Sequence, residues 1–226
     1  MTRSRTPKDS GQAFPLYIAA VAGLLFIALA CFAVGQAGAT RNGAQTAADA
    51  AALAAAQDYR DQLRTGLLAA LGATAPGVPA TPRATAPGAP AAPGAPAVPA
   101  TGARWEDWLA GRGADAALAC GAASAYASAN DADPDPACGP GRTDGSFRVT
   151  VRSARPVGRT VVPGTGSIHA TATAEAVVEP RCAPAVPGQD RPPLSLVCDG
   201  ERLILDPARP DGAPRATDLF AVRLDD

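Results

Sequence analysis

The uncharged stretch FPLYIAAVAGLLFIALACFAV, Phe14 to Val34, decides the fold of this 226-residue chain. It is long enough to form a helix across a hydrocarbon core of about 30 Å. The leader before it is basic, with Arg3, Arg5 and Lys8. Because the first basic residue after it is Arg41, the positive-inside rule predicts a cytoplasmic leader at 1–13, a transmembrane helix at 14–34 and an extracytoplasmic C-terminus.

A cleaved signal peptide is the alternative interpretation of this N-terminus. Ala37-Gly38-Ala39 resembles an A-x-A cleavage site, although the apolar run is longer than the usual h-region of about 7–15 residues. Cys31 also suggests a lipoprotein, but Leu29 is one position too close to it for the usual lipobox order. A retained anchor is favoured, and every alternative places the bulk of the chain outside a bacterial-type membrane.

Composition limits what the rest of the chain can build. Pro and Gly number 23 each, aromatic residues are only 4%, and the formal net charge is −1. The abundance of Pro and Gly predicts long irregular stretches, and the shortage of large side chains predicts a small core rich in alanine. The near-zero charge gives no electrostatic reason to expect a nucleic-acid partner.

An alanine-rich helix is predicted at 35–72, with its core from Ala44 to Leu71, either separate from the membrane helix or continuous with it. Leu63, Leu67 and Leu71 recur at i+4 spacing and form a narrow apolar stripe. The alanine surface would let neighbouring helices approach closely, whereas the alternative is a solvated helix that packs only on its own domain. Residues 73–103, rich in Pro, Ala and Gly, predict a semi-extended, polyproline-like linker.

Residues 104–226 predict an extracytoplasmic α+β domain with a small antiparallel sheet. Its first part, 104–130, is expected to be helical and places three large apolar side chains on one face, Trp105, Trp108 and Leu109. A loop at 130–145 precedes strands whose side chains alternate with period two, first Phe147, Val149 and Val151, and then Ile168, Ala170, Ala172, Ala174 and Ala176. Asp199-Gly200 predicts a hairpin turn, and LFAVRL at 219–224 predicts a last strand.

Four of the five cysteines lie outside the membrane run, namely Cys120, Cys138, Cys182 and Cys198. An even number in an oxidising compartment suggests two disulfides, for which three connectivities exist. We favour Cys120–Cys138 and Cys182–Cys198, because each pair brackets a local loop worth about 3 kcal/mol in the chain-entropy model. Zinc binding is the alternative, but no CxxC motif or histidine cluster supports it. Cys31 is expected to be free.

Residues that could carry chemistry are sparse. His169 is the only histidine and is expected to be an ordinary surface residue of a strand. The acidic D-x-D-x-D run at 131–135 resembles the start of a calcium loop, but Pro136 and Arg142 stand where an EF-hand needs Gly and Glu. The sequence contains no GxSxG elbow and no Walker lysine. We therefore expect no catalytic residue, cofactor, metal or small-molecule substrate.

The N-terminal sequence resembles a known family. A short basic leader, Gly11-Gln12 ahead of the apolar helix, and the run AADAAALAAA at 47–56 are similar to the N-terminal module of TadE/TadG-like proteins of the tight-adherence (Flp-type) pilus system. The V-x-A-x-A character of SIHATATAEAVVE at 167–179 is also similar. The resemblance covers the region up to about residue 60 well and the strand region loosely.

The resemblance implies a non-enzymatic, membrane-anchored minor pilin-like or accessory component of a Tad/Flp-type pilus assembly or secretion system. Its implied partners are the membrane and other membrane proteins of that system. A prepilin peptidase would cut between Gly11 and Gln12, and pilin subunits usually carry Glu at the fifth mature position, where this chain has Leu16. The alternatives are a secreted or cell-envelope binding protein with a cleaved signal peptide, and an exported enzyme.

Overall fold

The computed structural model describes residues 13–74, 104–133, 135–156, 167–189, 191–209 and 212–225. The basic leader, with Gly11 and Gln12, and nearly all of the predicted linker lie outside the described residues. The predicted fold class is confirmed, because a long apolar N-terminal helix is followed by shorter helices and antiparallel sheets. The division of the chain into domains stays a prediction.

The first helix, α1, runs without interruption over Ala13–Thr74 and is 62 residues long. It joins the predicted membrane helix to the predicted alanine-rich helix. Pro15 lies in its first turn, where the missing N–H costs little, and the next proline in the sequence is Pro76. Ala and Leu are the most frequent residues between the two prolines, and their high helix propensity outweighs the scattered glycines, so the helix continues.

Two helices follow in place of the single helical region predicted at 104–130. They are α2, Trp105–Leu109, and α3, Ala116–Ala129. Gly111 and Gly113 separate them with φ angles of 80° and 107°, which side chains rarely tolerate. The Asp115 side chain then caps α3 by accepting hydrogen bonds from the first-turn N–H groups of Ala117 and Leu118.

The larger sheet has four antiparallel strands in the order β1-β2-β3-β7. Its strands are β1 (Ala137–Pro140), β2 (Ser146–Arg152), β3 (Thr171–Pro180) and β7 (Phe220–Asp225). The prediction of a loop throughout 130–145 was wrong, because β1 lies within it. The sequence of β1, ACGP, has no strand-like alternation, and its place at the sheet edge explains why a proline is tolerated there.

A smaller sheet contains β4 (Cys182–Pro184), β5 (Leu194–Cys198) and β6 (Glu201–Leu205). The predicted single sheet is therefore two sheets. The predicted hairpin is present between β5 and β6, and both turn residues have positive φ, 49° at Asp199 and 89° at Gly200. A one-turn helix, α4 (Ala216–Leu219), leads directly into β7.

The core lies between the larger sheet and the C-terminal part of α1. Phe147, Val149 and Val151 of β2 point into it, as the alternation predicted. In β3 the inward residues include Ala172, Ala174 and Ala176. The predicted alternation fails at Ile168, because β3 begins only at Thr171 and the Ile168 side chain is 53% exposed.

Candidate membrane anchor and docking face

The first third of α1 is an apolar surface that the rest of the described chain leaves uncovered. Its large side chains are mostly exposed, for example Leu16 at 75%, Phe26 at 71% and Val34 at 73%. A helix from Phe14 to Val34 rises about 31 Å, which matches a hydrocarbon core of about 30 Å. Residues 14–34, which we term the anchor half, are therefore a candidate membrane span.

A short polar stalk, residues 35–43, follows the anchor half in the same helix. A Cβ atom built at Gly35, Gly38 or Gly43 would meet no atom within 4 Å, so these sides of the stalk are clear of the described part of the domain. The Thr40 hydroxyl donates to the Gln36 carbonyl over 3.1 Å and turns back onto the helix. The stalk separates the apolar surface from the domain by about 14 Å of helix.

From Ala44 to Leu71, which we term the docking half, the chain's own domain encloses the helix. Its alanines are almost completely buried, namely Ala44, Ala47, Ala48, Ala51, Ala52 and Ala55. Helix α3 lies along this face and contributes buried alanines at i+4 spacing, Ala119, Ala123 and Ala127. The alanine face thus permits close helix approach, but the neighbouring helix belongs to the same chain. This outcome matches the alternative in which the helix packs on its own domain.

The second part of the docking half packs through larger side chains. Leu63, Leu67 and Leu71 are fully buried, as their i+4 spacing suggested. Gly66 lies among them, and a Cβ atom there would overlap the ring of Trp108. The Trp108 side chain is only 2% exposed, so α2 is seated across α1 at the one position of this turn without a side chain.

Polar groups fix the register between α1 and the segments that cover it. The Gln62 side chain accepts a hydrogen bond from the Asp115 N–H at 2.8 Å and donates to the Asp115 carbonyl at 3.2 Å. Arg64 Nε donates to the Pro214 carbonyl at 2.6 Å. These contacts join residues distant in sequence, so they hold the start of α3 and the approach to α4 against the docking half.

Tyr59 is an aromatic anchor within the docking half. Its ring packs edge-on against Phe147, with centroids 5.1 Å apart, and its hydroxyl donates to the Gly111 carbonyl at 3.1 Å. Burial raises the pKa of the Tyr59 hydroxyl, and the nearby Asp144 carboxylate adds to the effect. The neutral phenol therefore acts as a permanent hydrogen-bond donor that links α1, β2 and the turn after α2.

The outer face of the larger sheet carries a buried carboxylate that sequence reasoning missed. The Glu175 side chain in β3 is only 5% exposed and accepts hydrogen bonds from the Arg142 N–H, from Ser146 Oγ at 2.9 Å and from Arg148 Nη2 at 2.9 Å. The pKa of Glu175 is lowered, chiefly by the Arg142 N–H and then by Ser146 and Arg148, although burial opposes this. The only signal in the sequence is that Arg148 and Glu175 both occupy outward positions in their strands, where opposite charges can pair once the strands are in register.

The four outer cysteines lie in two pairs at disulfide distance, Cys120 with Cys138 and Cys182 with Cys198. The first pair joins α3 to β1, and the second joins directly opposite residues of β4 and β5. These are the two pairings that the sequence favoured, and their oxidation in the cell stays a prediction. Cys31 lies exposed in the anchor half.

Other residues singled out in the sequence have structural surroundings. His169 Nδ1 lies 2.6 Å from the Ser153 carbonyl oxygen, which can only accept, so this nitrogen donates. Two residues of the acidic run pair with arginines, Asp131 with Arg155 and Asp133 with Arg152. Within the described ranges, no group of three His, Cys, Asp or Glu side chains is arranged to hold a metal ion.

Comparison with known protein families gives a match for the N-terminal region. Residues 11–58 match the family model described as putative Flp pilus-assembly TadE/G-like, which covers the anchor half, the stalk and the first turns of the docking half. No curated protein and no solved structure matches the chain. The match covers well under half of the 226 residues and supports a role in pilus assembly. Over residues 11–58, therefore, this chain is similar to the TadE/TadG-like proteins of Flp pilus assembly, as the sequence indicated.

Proposed function

We propose that this chain is a non-enzymatic, membrane-anchored component of a Tad/Flp-type pilus assembly or secretion apparatus. The observation that carries the proposal is the division of α1. The matched segment includes an apolar half that the described domain leaves uncovered and the beginning of a half that the domain encloses. A subunit built in this way presents a folded domain at a constant distance from a membrane or from the apolar helices of other subunits.

Size favours an apolar partner for the anchor half. A contiguous surface of exposed Leu, Ile and Phe side chains over about 31 Å exceeds the apolar patches that monomeric proteins normally leave in water. Lipid surrounds the helix in the anchored state, and minor-pilin-like assembly would replace lipid by helices of other pilus components. The basic leader orients the N-terminus towards the cytoplasm and the domain outwards.

Disruption of the gene in the source bacterium tests the proposed role directly. We expect loss or marked reduction of surface pili by electron microscopy, with recovery when the intact gene is restored. A chimera in which residues 14–34 are replaced by an unrelated membrane helix separates anchoring from assembly. If the chimera stays in the membrane but does not restore pili, the anchor half makes specific contacts. Normal piliation without the gene would contradict the proposal.

A secreted or cell-envelope binding protein is the second candidate, and one observation favours it. The A-x-A-like sequence at 37–39 lies in the stalk, which is outside the docking half. Cleavage there would begin the mature chain at Thr40 and leave the domain core intact, because the first buried residue of α1 is Ala44. N-terminal sequencing distinguishes the candidates, since a plain anchor begins at Met1, a prepilin-type product at Gln12 and a secreted product at Thr40.

A further inference from the structure

One uninterrupted helix determines how far the outer domain stands from the end of the anchor half. Gln45 lies eleven residues after Val34, so it is about 16 Å higher along the helix axis. The headgroup layer of a bilayer occupies roughly 5–7 Å of that height. Gln45 is also linked to the larger sheet, because its Nε2 donates to the Thr173 carbonyl at 3.5 Å.

Strand β3 begins two residues before Thr173 and runs away from the anchor half. Its opposite end, Pro180, lies against Gly111, whose carbonyl accepts the Tyr59 hydroxyl much higher along the helix. The start of β3 is therefore the end nearest the anchor half. The domain has its lower side here and its upper side around α2.

Two hydrogen bonds hold the residue before β3 against the segment that follows β2. The Ser153 N–H donates to the Ala170 carbonyl at 2.8 Å, and the Ala170 N–H donates to Ser153 Oγ at 3.0 Å. Strand residues advance about 3.3 Å each, so the five steps from Thr173 to Ile168 can cover at most about 16 Å. Because this segment extends back towards the anchor half, Ile168 is lower than Gln45 and within reach of the headgroup layer.

The side chains of this lower edge suit a lipid surface. Ile168 is 53% exposed, and Ala154, which follows Ser153 in the facing segment, is exposed as well. The Arg155 side chain is 77% exposed, and its ion pair with Asp131 leaves further N–H groups for a phosphate. Arg41 on the stalk is exposed about 10 Å above Val34, which is close to the same level.

We propose that this lower edge, comprising Ala154, Arg155 and Ile168, rests on the phospholipid surface, with Ile168 inserted between the headgroups. The contact rests on the proposed anchoring of residues 14–34 and adds a second point of attachment. It would restrict tilting of the domain about the stalk, so that the domain meets its partners in one orientation.

Ile204 supplies a matched control. It is 62% exposed, similar to Ile168, but the next residue, Leu205, borders Leu68 and Leu71 at the far end of α1. That end lies about 50 Å above Val34. The two isoleucines therefore have similar exposure in the protein and very different heights above the membrane.

The test uses the full chain in vesicles of phosphatidylcholine and phosphatidylglycerol that contain headgroup-level spin-labelled lipid. An environment-sensitive fluorescent amino acid replaces Ile168 in one variant and Ile204 in another. We expect a blue shift and strong quenching of the probe at 168, and neither at 204. A third variant adds seven alanines between Ala39 and Thr40, which lifts the domain by about 10 Å and should abolish the quenching at 168.

Flotation of the same samples separates the two possible failures. Protein that floats with the vesicles but shows equal emission and quenching at 168 and 204 would overturn the lipid contact and leave the anchor intact. Protein that does not float with the vesicles would overturn the anchor and the contact together. Quenching at 168 that persists in the seven-alanine variant would also overturn the contact as described.

Discussion

The anchor half and the docking half of α1 are both apolar and helical, but their large side chains are exposed in the first and buried in the second. Leu25 in the anchor half is 59% exposed, whereas Leu67 in the docking half is fully buried. The anchor half carries large side chains on all sides. In the docking half, the positions that other elements approach most closely are alanines and Gly66. Fluid lipid tails can surround large side chains at any position on a helix, whereas a folded domain requires small residues where its helices and strands approach one another. Size and position together, more than total hydrophobicity, distinguish the two surroundings.

The same substitution in the two halves should give the clearest difference. Leu67→Ala removes buried atoms among Leu63, Leu71 and the domain core, and we expect a loss of about 2–5 kcal/mol in the free energy of unfolding. Leu25→Ala should leave the unfolding of the domain nearly unchanged, because the described domain does not cover Leu25. Thermal and urea unfolding of the full chain in detergent micelles measures both. Equal losses would mean that the anchor half belongs to the core.

The cysteines extend the comparison to the segments that cover the docking half. Replacing Cys120 and Cys138 together by Ser should release α3 from β1 and cost about 3 kcal/mol, because the bridge closes a loop in the unfolded chain. The control Cys31→Ser, in the anchor half, should have no effect on unfolding. Mass spectrometry without reduction should find Cys120 linked to Cys138 and Cys182 linked to Cys198. Alkylation of all four outer cysteines in the native, unreduced protein would reject both bridges.

A smaller but opposite pair of effects is expected at two glycines of α1. Gly66→Ala forces a methyl group against the Trp108 ring, and overpacking of this kind costs about 1–3 kcal/mol. Gly38→Ala meets open space in the stalk and should strengthen the helix by up to about 1 kcal/mol. Trp fluorescence should show easier unfolding of the domain for Gly66→Ala, whereas circular dichroism should show a more stable helix for Gly38→Ala. A stabilising Gly66→Ala would show that the Trp108 ring moves away at little cost.

Local patterns in the sequence were sufficient for the elements that they govern. Uninterrupted apolar residues predicted the anchor half, i+4 leucines predicted the buried stripe, and period-two alternation predicted β2. Strand β1 was missed because ACGP carries no pattern, and its pairing with β2 and the proximity of Cys138 to Cys120 position it. The sequence also left open what covers the alanine face, because the answer depends on a helix that follows about 60 residues later.

The Glu175 site was beyond such reasoning for a related physical reason. Its partners, Arg142, Ser146 and Arg148, are about 30 residues away and become neighbours only through the register of β2 and β3. A Glu in an alanine-rich segment looks like a solvated strand residue when the segment is read alone. The sequence of this segment does not indicate that the outer face of the sheet carries a buried charge while the inner face of the sheet packs on α1.

The smallest of these effects is expected from acid. Low pH should weaken the domain, whose stability depends on the Glu175 carboxylate, and should not affect the anchor half, which contains no carboxyl group. The pKa of Glu175 lies below its ordinary value of 4.5 in the folded protein, chiefly because the Arg142 N–H bonds the carboxylate. The carboxylate therefore contributes stability in full above about pH 4.5, and this contribution is lost as the pH falls through the lower, folded-state pKa.

Glu175→Gln should cost about 1–2 kcal/mol at pH 7, because an amide cannot satisfy Arg148 and Ser146 as a carboxylate does. The variant should also lose less stability than the natural protein as the pH falls from 5 through the folded-state pKa of Glu175, a difference that urea titrations at each pH measure. A Glu179→Gln control, whose carboxyl is 46% exposed beside Arg223, should change the acid dependence much less. Helicity measured in parallel should show the anchor half unchanged in both variants. If the two variants gave the same dependence of stability on pH, the buried network around Glu175 would not be a source of the domain's stability.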